Sequence, residues 1–113
     1  MHRAMRWAVL ALALGAVPAL ADDRSDARRQ VDFGIQVAER GLWREAAYRW
    51  QRAVDIDPSY AAAWNNLAVA HEHSGNFDAA REAYDRALEL NPNNRTIQQN
   101  YDLFREINDR TNS

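Results

Sequence analysis

His71, Glu72 and His73 are the one place in this sequence where imidazoles and a carboxylate stand together, a grouping that invites a metal site or acid–base chemistry. Helical spacing argues against both. Residues two apart on a helix point to nearly opposite sides, so the two rings cannot close on one ion. His71 is expected inward and hydrogen-bonded, because buried polar groups are generally satisfied, and His73 is expected in solvent. The chain has no cysteine, which excludes a disulfide framework, a thiol nucleophile and a thiolate zinc site. No Ser-His-Asp spacing, glycine-rich phosphate loop or close ligand cluster is visible either, so no catalytic residue, metal or cofactor is expected. Trp43, Trp50 and Trp64 could stack on a sugar, but they fall where core aromatics are wanted.

The elements that position these residues repeat. Gly34 stands where Ala68 stands one repeat later, Gly41 where Gly75 does, Trp43 where Phe77 does and Ala46 where Ala80 does; Ala53 and Pro58 match Ala87 and Pro92. This constant offset of 34 residues marks a helix-turn-helix array. Helices are expected over about 26–39, 43–56, 60–73, 77–90 and 95–110, each with apolar residues every third or fourth position. Gly41 and Gly75 can take the left-handed conformation that ends a helix. Asp57-Pro58 closes the first repeat, because proline disfavours a helical residue before it. Ser59 is read as a cap for the third helix, and Ser25 or Asp26 as a cap for the first.

Small residues at Gly34, Ala68, Ala46, Ala80, Ala53 and Ala87 let paired helices approach, with Phe33, Trp50, Leu67 and Tyr84 filling the flanking space. In the last segment Ile97, Tyr101, Phe104 and Ile107 face inward, while Asp102, Arg105, Glu106 and Asp109 are wet. No helix pairs with it, so it reads as the cap that a solenoid needs. Glu45 with Arg49 and Glu82 with Arg86 have the spacing of surface ion pairs.

The front of the chain reads as an address. Residues 1–6 carry two arginines and no acid, residues 7–20 are almost wholly apolar, and Ala19-Leu20-Ala21 offers small residues where a signal peptidase cuts. The run is shorter than the roughly twenty residues that span a bilayer. Cleavage after Ala21 is therefore expected, with residues 22–26 as a flexible lead. Removing the segment takes away two of the fourteen basic residues and none of the sixteen acidic ones, leaving a formal charge of −4 and making nucleic acid a poor partner. The expected location is the periplasm of a Gram-negative bacterium, or outside the cell, with no stable membrane insertion.

Trp64, Leu67-Ala68, His71, Ala80, Tyr84 and Pro92, at their spacings, resemble the tetratricopeptide repeat, with alanine for its glycine and His71 for its tyrosine. Residues 27–60 resemble it more loosely, with Gln30 where the tryptophan and Val37 where the tyrosine would stand. The resemblance implies an all-α fold, a short solenoid of two repeats (27–60 and 61–94) plus a capping helix (95–110), with 111–113 a frayed tail. It implies a non-catalytic scaffold that binds a peptide or protein segment in the groove lined by the first helix of each pair. Partner-binding residues are then Asp32 and Ile35, Asn65, Asn66, Val69 and His73, and Gln99, Asn100 and Leu103. Ile35, Val69 and Leu103 repeat at the same period and would form an apolar floor, flanked by amides that could hold the main chain of an extended guest. Members that clamp acidic C-termini use lysines and asparagines. Asn66 and Asn100 could serve, but Val31, Ile35 and Thr96 could not, and the chain has no lysine, so that ligand is not expected. The other reading is a structural subunit, completed by self-association or by docking on a larger envelope complex, because such arrays usually need about three repeats for stability.

Overall fold

The computed structural model describes residues 22–111, and the expected export signal, residues 1–21, lies outside them. The described residues form α1 (22–39), α2 (Trp43–Ile56), α3 (Ala61–His73), α4 (Phe77–Leu90) and α5 (Arg95–Thr111), with no strand among them. Residues 22–26 are not a loose lead: α1 is already helical there. The reason is Arg24, whose guanidinium binds the Asp57 carboxylate and the Ser59 carbonyl and hydroxyl, fastening the first turns to the end of the repeat. Neither Ser25 nor Asp26 therefore begins the helix; both instead accept hydrogen bonds from Arg29. At the other end α5 is helical through Thr111, the first residue of the expected frayed tail, and residues 112–113 lie outside the description.

Each helix buries one stripe. Ala27, Val31 and Gly34 on α1, Ala46, Trp50, Ala53 and Val54 on α2, Leu67 and Ala68 on α3, and Ala80, Tyr84 and Ala87 on α4 recur at helical intervals and are almost fully covered. They build two joined cores. One centres on Trp50 with Val31, Val54 and Leu67; the other on Tyr84 with Ala68, Tyr101 and Phe104. Trp64 packs on both and is tied to the turn by its indole N–H, which donates to the Pro58 carbonyl at 2.8 Å.

The turns follow from two glycines. Gly41 and Gly75 have φ of 80° and 77°. After each, the next amide reaches back, Leu42 to the Val37 carbonyl at 3.0 Å and Asn76 to the His71 carbonyl at 2.8 Å, closing the helix end with paired backbone bonds. The inter-repeat turn is built differently. Ser59 does not cap α3; its N–H and hydroxyl donate to Asp57 Oδ1 at 3.1 and 2.6 Å, and α3 starts after Tyr60 without a side-chain cap. The Asp57 carboxylate, nearly buried and negatively charged, is the stronger acceptor and takes the hydroxyl first. Ahead of α5, Asn94 Oδ1 accepts the Ile97 N–H at 3.0 Å, the cap that α3 lacks.

Two apolar residues expected inside are outside. Phe33 is 44% exposed, with the Arg49 guanidinium 4.2 Å above its ring, and Ile107 is 55% exposed. Both sit near an end of the described array, and no other helix of the described residues covers them. Glu45 pairs with Arg49 at 3.1 Å, but Arg86 turns to Glu89 at 3.1 Å rather than to Glu82.

Candidate partner-binding groove

Because each hairpin reverses the chain, α1, α3 and α5 run in one direction and lie side by side, with α2 and α4 behind them. Ile35, Val69 and Leu103 occupy the same register on the three front helices. Ile35 is 41% and Leu103 57% exposed, and Val69 is half-buried between them. Asp32 and Gln99 flank this apolar row and are exposed. Asn66 is half-buried in a shallow hollow between α1 and α3, with Ile35, Ala38, Glu39, Trp43 and Trp50.

The amides are not all free for a guest. Asn65 is only 8% exposed, and its Oδ1 accepts a hydrogen bond from Asn100 Nδ2 at 3.2 Å. The expected pair of solvent amides is thus a strut between α3 and α5. Asn65 also lines a polar hollow of about 450 Å³ with Arg24, Ser59, Asn91, Asn94 and Thr96, at the N-terminal ends of α3 and α5.

His73 does not line the apolar row. Its ring stacks on Trp43 with centroids 4.1 Å apart, at the junction of α2 and α3. His71 is half-buried beside it, facing Trp43 and Ala47 rather than Tyr84. Burial pushes the His71 imidazole below the usual histidine range, because the cation is the form that loses most by leaving water. Among the described residues no group of three or more histidines or carboxylates is placed to hold a metal ion.

Glu72, between the two histidines, has a partner that helical spacing alone does not reveal. The Tyr84 hydroxyl donates to Glu72 Oε1 at 3.3 Å across the inner wall. Burial raises the Glu72 pKa, with the tyrosine bond only partly opposing it. Burial first, then the Glu72 charge and its hydrogen bond, pushes the Tyr84 phenol far up, so it stays a neutral donor. Tyr101 stacks on Tyr84 at 5.1 Å and donates to Asp85 Oδ1 at 2.7 Å, pinning α5 to α4. Its own pKa is likewise raised, by burial first and then by Asp85. The 34-residue offset could have drawn attention to Glu72, since Glu106 is its equivalent on α5.

Comparison with known families decides the repeat type. The tetratricopeptide repeat model matches residues 61–94, and a second model, described as TPR repeat, matches residues 37–75. The fold is a tetratricopeptide-repeat solenoid. Tetratricopeptide folds generally mediate protein–protein interaction and are generally non-catalytic, which suggests a protein partner. The chain is similar to protein O-mannosyl-transferase TMTC1 of Mus musculus, 34% identical over 59% of this chain and 7% of that one. It is 38% identical to the uncharacterized protein ycf37 of Pyropia yezoensis, over 64% of this chain and 40% of the relative. The tetratricopeptide repeat domain-containing protein PYG7, chloroplastic, of Arabidopsis thaliana is 26% identical over 75% of this chain and 28% of its own length. The tetratricopeptide region therefore spans less than half of each of these curated relatives. No helix of the described residues is long and apolar enough to cross a membrane.

Proposed function

We propose that this chain is an exported adaptor that holds an extended peptide or protein segment along α1, α3 and α5 and performs no chemistry. The observation that carries the reading is the apolar row itself. Ile35 and Leu103 are large aliphatic residues left 41% and 57% exposed on the front helices, one repeat either side of Val69. Asp32, Asn66 and Gln99 border it with groups able to pair with a guest's main chain. Aliphatic residues scattered singly on a surface need no explanation. Three in one register across three parallel helices do. The export reading rests on the two arginines, the apolar run and Ala19-Leu20-Ala21 at the front of the sequence, and it places the adaptor in the periplasm. The transferase among the relatives shares 7% of its length with this chain, and its chemistry is not carried over.

Replacing Ile35 and Leu103 together by serine tests the groove. Both are exposed, so the melting temperature should fall by no more than several degrees, since surface changes cost roughly half a kcal/mol or less each. Capture of the partner in the producing cell should fall sharply; undiminished capture with an intact fold rejects the groove. A second reading, completion of the array by another copy or a larger envelope assembly, draws on Phe33 and Tyr48, 44% and 54% exposed on either side of Arg49. Light scattering separates the two: a monomer at high concentration favours the adaptor.

A further inference from the structure

Two adjoining hollows, of about 180 and 260 Å³, open beside the apolar row where α3, α4 and α5 meet. Their walls are Val69, Leu103, Phe104, Ile107 and Phe77 with Tyr84, Asn100 and Asn108, and Glu72 belongs to both. This is a mostly apolar recess with two amides and a single carboxylate in it. Glu72 receives one hydrogen bond, from the Tyr84 hydroxyl at 3.3 Å, and no basic side chain of the described residues pairs with it. Arg81, on the neighbouring helix, pairs with Asp109 at 3.4 Å and lies over the Phe104 ring instead.

From this geometry we infer that the recess takes a lysine or arginine side chain of the guest, its aliphatic stem against Val69, Leu103 and Ile107 and its cationic head on Glu72. The inference rests on the groove reading above. Long basic side chains combine an apolar stem with a charged tip, and the recess offers both complements, apolar walls and a carboxylate. A norleucine-like side chain would fill the walls but strip water from an unpaired carboxylate, which is unfavourable. An acidic side chain would meet like charge. Glu72 also lies in the last turn of α3, where the carbonyl end of the helix adds negative potential. The half-burial that raises the Glu72 pKa disfavours its charged form, a penalty that the charge of a guest cation would offset.

The test is fluorescence polarisation of three end-blocked, labelled peptides, Ala-Leu-Lys-Leu-Ala and its norleucine and glutamate counterparts, against the mature chain. The lysine peptide is expected to bind on the order of tenfold more tightly than the norleucine one, a difference well above measurement error, and the glutamate peptide least. Glu72→Gln, which can still accept from Tyr84, should bring lysine down to the norleucine level. Equal binding of all three peptides overturns the basic recess while leaving the groove standing. Binding of none overturns both. The comparison among peptides on the unmodified chain decides the matter even if E72Q does not fold.

Discussion

The Trp50 indole lies directly on the backbone of Gly34. A Cβ built on Gly34 would stand 2.3 Å from Trp50 Nε1, and that same nitrogen donates its hydrogen to the Val31 carbonyl at 3.1 Å. One repeat later the pair is Ala68 with Tyr84, so a larger ring is matched by a smaller helix residue. Gly34→Ala would gain up to about 1 kcal/mol of helix propensity. Trp50 is only 3% exposed and hydrogen-bonded, so it cannot move aside, and overpacking of this kind costs about 1–3 kcal/mol. A net loss is expected, at about 4–8 °C of Tm per kcal/mol for a domain this size. Trp50→Tyr in the same chain should recover part of it, a coupling that thermal melts of the single and double variants would reveal.

Acid should weaken the junction between repeats. Burial alone would raise the Asp57 pKa, but the Ser59 hydroxyl, Arg24 and the Ser59 N–H together outweigh it and hold the carboxyl below its ordinary 3.8. A carboxyl depressed in the folded state stabilises fully above its unfolded pKa, and that contribution disappears as pH falls through the folded one. Asp57→Ala should therefore cost about 1–3 kcal/mol at pH 7, for the partners left unmet. Urea melts from pH 7 down to pH 2 should show the gap between the two proteins closing below about pH 4.

Asn66 and Asn100 look interchangeable by period but should behave differently. Asn100→Ala leaves Asn65 Oδ1 without its donor in a residue only 8% exposed, and a loss of about 1 kcal/mol is expected. Asn66→Ala should leave denaturant stability unchanged while weakening partner capture. Equal stability losses in the two variants would contradict the strut between α3 and α5.

These contrasts show what was legible in the sequence. The 34-residue offset placed Gly41, Gly75, Trp50 and Tyr84 where the structure has them, because backbone reversal and close helix approach depend on local residue type. It also put Ile35, Val69 and Leu103 in one register. Periodicity failed where burial depends on a neighbour rather than on the residue. Phe33 stands one period before the buried Leu67, yet no helix among the described residues covers it. Ile107 continues the inward series of Tyr101 and Phe104 but is exposed at the other end. Asn65 and Asn66 are adjacent amides in an otherwise apolar stretch, and only the bond from Asn100 on α5 shows which of the two is turned inward. Ser59 and His73 were read by their own chemistry, but Asp57 and Trp43 claimed them first. Glu72 had no readable role, because the Tyr84 bond and the recess exist only once α3, α4 and α5 have packed.

The central claim is that the partner lies on the front of α1, α3 and α5. A photocrosslinking residue placed singly at Asp32, Gln99, Arg52 or Glu89, all exposed, would test it in the producing cell. Asp32 and Gln99, on the front helices, should give the same crosslinked partner band, and Arg52 and Glu89, on α2 and α4, should not. Crosslinks confined to Arg52 and Glu89 would place the partner on the back of the solenoid and contradict it.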